Sequence, residues 1–475
     1  MMDLASELAG GRVVECNDEF FAEAKNLIRV SAPEWRDGVF TDRGKWMDGW
    51  ETRRRREPGH DWCILALGIA GRVHAVTVDT SHFTGNYPEA FSLEACGVGS
   101  DERLSVAEWV EILPRTALEG DSVATFEVTD PHRITHLRLN IFPDGGVARL
   151  RIEGTPIPSM QDVCPDGLTD LASAVLGGEA LAASDKHYSD PSNLLQRTAP
   201  AGMWDGWETR RRRGPGHDWA EFRLGLPGEV ERFVIDTTHF KGNAPGWVSL
   251  HVSGDGSDWR QAVEKEAISA DAVNSIEVGE PVAAAFIRLS LHPDGGVARI
   301  RALGRPDPEP ATSSRVSYLN ALFDSEAHAF FRAACAASAW VEHMVAGRPY
   351  PTAAEVLAAA ESAFDLLDDG DWLEAFLAHP RIGERGDAHA NREQSGTASA
   401  SRELLARLSA VNRVYENEFG FTYIVHATGK TTEQMLEIAE ARLANTRSEE
   451  IANASGEQRQ ITRTRLRRML CMEKR

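Results

Sequence analysis

The feature that most constrains this chain is an internal duplication. MDGWETRRRREPGHDW begins at Met47, and the closely similar MWDGWETRRRRGPGHDW begins at Met203. Aligning Gly49 with Gly206 gives an offset of 157 residues. VDTSHFTGN and IDTTHFKGN match at the same offset, and FPDGGVARLRIEG matches HPDGGVARIRALG at an offset shorter by seven. A repeat this long predicts two domains of similar fold rather than a solenoid of short units.

Alternating apolar and polar residues predict β-strands in both copies. In THLRLNIF, the side chains of Leu137, Leu139 and Ile141 fall on one face of a strand, and FIRLSLH repeats the pattern in the second copy. Short strands joined by Gly, Pro, Asn and Asp turns, such as PDGG, favour antiparallel sandwiches. We therefore expect two tandem antiparallel β-sandwich domains, residues 1–165 and 166–308.

The last third of the chain changes to helical periodicity. Residues 309–315, within RPDPEPATSSR, read as a linker. Thr352 followed by Glu355 predicts a capping box at a helix start, as does Thr431 followed by Gln434. One helical stripe is formed by Leu404, Leu408, Val411, Tyr415 and Phe419. We expect an all-α domain over residues 316–475.

Composition excludes some classes of function. A formal net charge of −21 disfavours nonspecific nucleic-acid binding, which needs a positive surface. No apolar run is long enough to span a membrane, and the N-terminus shows no basic region followed by an apolar stretch. The six cysteines are scattered and contain no CxxC pair, which suits a reducing compartment. We therefore expect a cytoplasmic protein without membrane or nucleic-acid partners.

The duplicated arginine run is the first candidate binding feature. A guanidinium forms paired hydrogen bonds with a carboxylate and stays charged at working pH. In a strand, alternate arginines point to opposite faces, so at most two of the four in each run can converge on a ligand. The candidates for a small anionic substrate are Arg54, Arg56, Arg211 and Arg213. The alternatives are an exposed segment whose arginines pair with the protein's own carboxylates and, less favoured, a nucleic-acid patch.

The second candidate feature is an Asp–His pair in each copy, Asp79 with His82 and Asp236 with His239. Either pair could act as a carboxylate-oriented general base or as part of a metal site. Both could equally be hydrogen-bonded anchors that hold a turn. Two ligands per copy are too few for a closed metal site without further donors.

Together, the three duplicated motifs resemble those of allantoicase across roughly residues 10–310. The resemblance implies two jelly-roll, galactose-binding-like β-sandwiches that hydrolyse allantoate to ureidoglycolate and urea. It gives no firm catalytic assignment, and a divalent metal is left open. General acid–base catalysis by the Asp–His pairs would suffice for replacing a ureido group by water.

The helical third contains a different set of candidates. AFLAHPRIGER places His379 at a helix end before a proline, where a histidine is more often a capping residue than a catalyst. Glu393 in NREQSG and Arg465 in ITRTRLRRML add a carboxylate and an anion clamp in an otherwise Ala- and Leu-rich domain. The combination favours an acid–base site.

These motifs in order, with SAWVEHMVAGRPYP, resemble the OHCU decarboxylase family across about residues 316–472. The resemblance implies a cofactor-free all-α enzyme that converts 2-oxo-4-hydroxy-4-carboxy-5-ureidoimidazoline (OHCU) to S-allantoin. It implies His379 as acid/base, Glu393 as partner and Arg465 facing a substrate oxygen or carboxylate. It also implies substrate contacts from Pro380, Gln394, Ile424, Val425 and His426.

We therefore expect a bifunctional ureide-pathway enzyme of purine breakdown, acting on allantoate and OHCU and forming a homo-oligomer. The two reactions are not consecutive, because allantoin must first be opened to allantoate. A second hypothesis is a single-activity OHCU decarboxylase whose β-sandwiches only bind ligands.

Overall fold

The structure, a computed structural model, describes residues 2–99, 101–379 and 402–473. The chain forms two compact units, Met1–Phe323 and Asp324–Arg475. The first contains both sequence repeats and is antiparallel β-structure. The second is helical. The predicted fold class, two β-sandwich repeats followed by a helical domain, is confirmed.

The first repeat is built around β6 (Asp61–Asp79), a strand of 19 residues that belongs to both layers of the sandwich. Its first part pairs with β2 (Arg12–Cys16) and β10 (Ile134–Phe142), and its second part pairs with β9 (Val123–Glu127) and β12 (Arg149–Pro156). Between these parts lies Gly71, where a Cβ atom would meet the Thr155 carbonyl oxygen at 2.2 Å. The strands are β1 Met2–Asp3, β2 Arg12–Cys16, β3 Phe40–Thr41, β4 Gly44–Lys45, β5 Trp50–Glu51, β6 Asp61–Asp79, β7 Ala90–Cys96, β8 Val110–Ala117, β9 Val123–Glu127, β10 Ile134–Phe142, β11 Gly146–Val147 and β12 Arg149–Pro156.

The second repeat has the same order of strands, with β16 in the place of β6. One long strand, β19, replaces the separate β9 and β10 of the first repeat. The strands are β13 Thr169–Asp170, β14 Glu179–Ala183, β15 Trp207–Glu208, β16 Asp218–Asp236, β17 Trp247–Ser253, β18 Arg260–Ala267, β19 Val273–His292, β20 Gly296–Val297 and β21 Arg299–Pro306.

The alternating residues predicted to face a core do so. Leu137, Leu139 and Ile141 are fully buried, and the second repeat buries its equivalents in the same way. The polar residues between them lie on the opposite, outward face of the same sheet. Each repeat therefore has an apolar interior and a polar outer sheet face.

A buried ion pair connects the loop before β5 to β12. Arg149 is 1% exposed, and its Nη2 lies 2.7 Å from Oδ2 of Asp48. The same guanidinium donates to the carbonyl oxygens of Ser31, Asp48 and Ala148 at 2.9, 3.1 and 2.7 Å. Arg299 and Asp205 form the equivalent pair in the second repeat at 2.8 Å. We call these two pairs the buried clamps.

Residues 309–315, which we predicted as a linker, are helical. They lie in α2, Pro308–Ala321, which follows the single-turn helix α1, Met160–Val163. Helix α2 belongs to the first unit, where the amide of Arg133 donates to the carbonyl of Ala321 at 2.6 Å. Packing against the sandwich therefore decides the conformation of a Pro-rich sequence that reads as a connector.

Both predicted helix starts have a threonine cap in the second unit, and the one at Thr431 is a complete capping box, with the Gln434 side chain accepting from the Thr431 amide at 2.9 Å. The hydroxyl of Thr352 accepts from the amide of Glu355, and that of Thr431 accepts from the amide of Gln434. Gly420, with φ +80°, follows the predicted helical stripe. The helices described are α3 Asp324–Ala334, α4 Ser338–Ala346, α5 Ala353–Phe364, α6 Asp369–Leu377, α7 Arg402–Phe419, α8 Thr432–Arg442 and α9 Arg447–Met469.

Among the described residues, no helix is both long and apolar enough to cross a membrane.

The buried clamps generate a stability prediction. Arg149→Met leaves the Asp48 carboxylate, whose side chain is 6% exposed, without its buried guanidinium and with Arg29, at 3.4 Å, as its remaining ion-pair partner. Breaking one side of a buried pair costs about 3–5 kcal/mol, so we expect a loss of this size in the free energy of unfolding measured with urea. Adding Asp48→Asn should recover part of it. A loss below about 1 kcal/mol for Arg149→Met would contradict the role of the clamp.

Candidate functional site

The three duplicated motifs meet at one end of each sandwich. In the first repeat, the amide of Arg55 donates to Oδ2 of Asp144 at 2.9 Å. The amide of Thr52 donates to the carbonyl of Gly145 at 3.1 Å, and the amide of Gly146 donates to that of Asn86 at 2.7 Å. The arginine run, the PDGG turn and the DTSHFTGN loop are thus joined directly, and we call this region the loop end.

The second repeat has the same hydrogen bonds at its loop end. The amide of Arg212 donates to Oδ2 of Asp294 at 2.8 Å. The amide of Thr209 donates to the carbonyl of Gly295 at 3.1 Å, and the amide of Gly296 donates to that of Asn243 at 2.8 Å. The duplication in sequence is therefore a duplication of a loop framework.

The paired glycines of PDGG are required by this framework. Gly145 has φ +144°, and a Cβ atom on Gly146 would lie about 2.0 Å from the ring of Phe83. Gly295 has φ +146°, and a Cβ atom on Gly296 would lie about 2.1 Å from the ring of Phe240. The turn can therefore press against the DTSHFTGN loop only with glycine at both positions.

Within the described residues, the arginine run contains two residues that form ion pairs and two that do not. Nε of Arg53 lies 2.6 Å from Asp18, and Nη1 of Arg55 lies 2.6 Å from the buried Asp61. Arg54 and Arg56 are exposed and pair with no carboxylate in the described part of the chain. The first alternative, pairing with the protein's own carboxylates, applies to alternate arginines only.

The second run divides in the same way. Arg210 pairs with Asp185 at 2.7 Å, and Arg212 pairs with the buried Asp218. Arg211 and Arg213 are exposed and have no ion-pair partner within the described ranges. Each loop end therefore presents two unpaired guanidinium groups, at the four positions predicted from the sequence.

Each loop end also has a carboxyl–amide pair that the sequence reasoning missed. Nδ2 of Asn86 donates to Oε1 of Glu51 at 2.7 Å, and Asn243 donates to Glu208 at the same distance. Burial raises the pKa of Glu51, an effect that the bond from Asn86 partly offsets. Both residues lie within the duplicated motifs, so their repetition was the signal that pointed to them.

The structure does not bring Asp79 and His82 together as a dyad. Oδ1 of Asp79 accepts from the amide of Ser81 at 2.8 Å, whereas Nε2 of His82 lies 3.4 Å from the carbonyl of Pro33. The amide of His82 donates to Asp121 at 2.8 Å, and its φ is +70°, which is unusual for a residue other than glycine.

Asp236 and His239 repeat this geometry. Oδ1 of Asp236 accepts from the amide of Thr238 at 2.8 Å, and Nε2 of His239 lies 3.0 Å from the carbonyl of Pro200. His239 has φ +74°. These contacts favour the turn-anchor interpretation, and a part for either histidine in catalysis stays a prediction.

The described residues contain no group of three or more His, Cys, Asp or Glu side chains placed to hold a metal ion.

In the helical unit, two of the predicted site residues lie at helix positions that fix them. The amide of His379 donates to the carbonyl of Phe376 at 3.1 Å, just after α6 ends. Nη1 of Arg465, on α9, lies 3.4 Å from the carbonyl of Ala334 at the end of α3. Both side chains are partly exposed.

The segment Ile424–His426 lies against the helix that contains Arg465. Nε2 of His426 is 3.0 Å from Oγ1 of Thr464, the residue before Arg465, and the amide of His426 donates to Glu457 at 2.7 Å. The structure thus brings these predicted residues close to the predicted anion clamp.

A buried arginine at the end of α8, Arg442, also holds the segment Ile424–His426. Nη1 of Arg442 donates to the carbonyl of Ile424 at 2.9 Å, and its Nε donates to the fully buried Glu450. Val425 is itself 5% exposed. The predicted positions Pro380, Glu393 and Gln394 lie outside the described residues.

The fold and its sites define a chain that joins two different kinds of domain. One is a duplicated β-sandwich with exposed arginines at the loop end of each copy, and the other is an all-α domain. The family model "Allantoicase repeat" matches residues 2–157 and 169–307, and the model "OHCU decarboxylase" matches residues 320–467.

The chain belongs to the allantoicase family and has an OHCU decarboxylase domain fused to its repeats. It is 42% identical over 318 residues to a "Probable allantoicase" from Pseudomonas paraeruginosa, covering 64% of this chain and 96% of that protein. A crystal structure of allantoicase from Saccharomyces cerevisiae is 34% identical, with a TM-score of 0.55, covering 64% of this chain and 92% of that one. A crystal structure of OHCU decarboxylase in the presence of (S)-allantoin is 30% identical, with a TM-score of 0.28, covering 31% of this chain and 98% of that one.

These matches favour the two-enzyme hypothesis over ligand-binding sandwiches attached to a lone decarboxylase. The allantoicase relatives are covered almost completely, so the repeats correspond to a whole enzyme rather than to an accessory module.

The division of the arginine run generates a second prediction. Arg55→Met should lower the free energy of unfolding by about 3 kcal/mol, because the Asp61 carboxylate is 2% exposed and loses its guanidinium. The matched control, Arg54→Met, removes an exposed side chain without an ion-pair partner and should leave the melting temperature unchanged. Equal losses in the two variants, measured by calorimetry, would contradict the division.

Proposed function

We propose that the loop ends of the sandwiches bind allantoate and that this unit hydrolyses it to ureidoglycolate and urea. The observation that carries the proposal is that each loop end has two exposed arginines without an ion-pair partner among the described residues, on the same loop framework as a carboxyl–amide pair. Two guanidinium groups suit the substrate carboxylate. The Asn86–Glu51 and Asn243–Glu208 pairs offer acceptors and donors for ureido groups.

We propose that the helical domain decarboxylates OHCU to S-allantoin without a cofactor. Loss of carbon dioxide leaves an electron pair that the adjacent imidazoline π-system accepts, so the protein only has to desolvate the carboxylate and direct a proton to one face. His379 supplies the proton, Arg465 binds the anion, and the backbone of Ile424–His426 lies along the ring. Glu393, Gln394 and Pro380 complete the proposed set.

The proposal also includes the domain limits, the location and the assembly of the protein. The domain limits proposed are residues 1–165, 166–308 and 316–475. The location proposed is the cytoplasm, and the assembly proposed is a homo-oligomer with ureides as its small-molecule partners. A divalent metal for the hydrolase remains an open part of the proposal, to be tested by assaying urea release after dialysis against a chelator.

The hydrolase proposal predicts urea release when the full chain is given allantoate. Two double variants, Arg54→Met with Arg56→Met and Arg211→Met with Arg213→Met, test the anion site. We expect at least one of them to raise the KM for allantoate by about tenfold or more, because hydrogen bonds to charged groups are lost. No urea from the unmodified chain, or an unchanged KM in both variants, would refute the proposal.

The decarboxylase proposal predicts that His379→Ala lowers the enzymatic rate by about 100-fold or more, the usual contribution of a general acid. Freshly oxidised urate supplies the substrate, and optical rotation follows formation of one enantiomer. His343→Ala, an exposed histidine on α4, is the control and should retain full activity. Circular dichroism establishes that both variants keep their helices. A His379→Ala variant with full rate and single handedness excludes this histidine as the proton donor.

A further inference from the structure

The two repeats share their loop framework but differ on the outer sheet face beside it. The face begins where β10 or β19 ends at the loop end. In the first repeat this position is Phe142, whose ring lies 4.8 Å from that of His60 between centroids, tilted by 40°. In the second repeat it is His292, whose ring lies 4.7 Å from that of His217 at the same tilt. At this position the first repeat therefore has no acid–base group, whereas the second repeat has one.

The two repeats also differ on the neighbouring strands, β7 in the first repeat and β17 in the second. Ser92 and Ser249 are equivalent and buried, but only Ser249 meets an imidazole, with Oγ 2.9 Å from Nε2 of His292. Two residues further along the same strand, the first repeat has Glu94, tied to Arg138 at 3.3 Å. The second repeat has His251.

The ring of His251 has a buried nitrogen without a hydrogen bond within the described ranges. Its Nδ1 is buried and has no hydrogen-bond partner among the described residues. An unpaired buried ring nitrogen is costly unless water or a ligand supplies the missing bond. On the neighbouring strand β19, Arg288 lies opposite His251 and pairs with Glu221 at 2.5 Å.

We propose that the second sandwich holds the proton-transfer site of the hydrolase, with His292 as the general base. This inference rests on the proposed hydrolysis of allantoate and assigns that reaction to the second repeat. The exposed Arg211 and Arg213 lie at the same loop end, because the amide of Arg212 between them bonds Asp294, two residues after His292. The substrate carboxylate is held by the arginines and its methine carbon is presented to the histidine.

The electrostatic surroundings keep His292 uncharged at neutral pH. Burial lowers the pKa of its imidazole below the ordinary value of 6.5, and the nearby His217, Lys265 and His251 lower it further. A neutral imidazole can accept a proton from water, whereas a protonated one cannot. The hydrogen bond with Ser249 fixes the ring while its other nitrogen, Nδ1, remains available.

The proposed step is balanced in atoms and electrons. Water forms a C–O bond to the methine carbon and gives one proton to His292. The C–N bond to one ureido group breaks, and its electron pair stays on nitrogen. The protonated imidazole returns its proton to that nitrogen, so urea leaves and the ring is neutral again.

The test is His292→Phe, which keeps an aromatic ring and installs the residue type of the first repeat. We expect kcat for urea release to fall by about 100-fold or more, with the melting temperature and OHCU decarboxylation unchanged. The acid limb of the kcat profile, expected below pH 6.5 in the unmodified chain, should vanish from the residual activity. His74→Phe is the control, because Nε2 of His74 also meets a hydroxyl, that of Thr155, at 2.8 Å.

The two proposals fail in different ways. If the unmodified chain releases no urea from allantoate, the hydrolase proposal is refuted and this inference with it. If urea is released and His292→Phe retains the full rate and the acid limb, only this inference is overturned. A loss of rate equal to that of His74→Phe also overturns it, since both changes would then act through the fold.

Discussion

The loop ends depend on one interaction, the buried arginine–aspartate clamp of each repeat. A guanidinium has five N–H donors in a rigid plane, and Arg149 uses them on a carboxylate and on carbonyl oxygens from three separate places in the chain. A lysine could not satisfy the same set, because its single ammonium lacks the forked geometry. With the loop before β5 held in this way, Arg53 and Arg55 reach their carboxylates and Arg54 and Arg56 are left at the surface.

The duplication separates what the fold requires from what a site requires. The clamps, the glycine pairs and the amide contacts of the PDGG turns are the same in both copies, so they belong to the framework. Phe142 and His292 occupy one position within that framework, as do Glu94 and His251. A position that is free to be apolar in one copy and titratable in the other is not needed for folding. Such positions are where a difference in chemistry between the copies has to lie.

Sequence reasoning reached the elements whose signal is local. Strand alternation, the helix starts at Thr352 and Thr431 and the duplicated motifs are each written in a short segment, and the structure confirms them. Sequence reasoning did not reach the helical conformation of residues 309–315, because Pro308 at a helix start resembles a connector until the packing of α2 on the sandwich is known. It could not foresee that the rings of His82 and His239 meet proline carbonyls, since that depends on a left-handed backbone. His292 contacts Ser249 and His217, each more than forty residues earlier in the chain, so only strand register brings this cluster together.

The helical unit uses the same physical device in an unrelated fold. Arg442 is buried, pairs with the fully buried Glu450 and donates to the carbonyl of Ile424, which fixes the segment beside the second anion site. As in the sandwiches, the cation that shapes the backbone is different from the cation proposed to bind a ligand. Arg465 is less buried than Arg442 and lies 3.4 Å from the carbonyl of Ala334. A buried pair would lose much of its attraction for a substrate, because its charge is already neutralised, and a surface cation alone would leave the binding loop unsupported. In the proposed sites, dividing the two tasks between two arginines therefore separates support of the backbone from binding of the substrate.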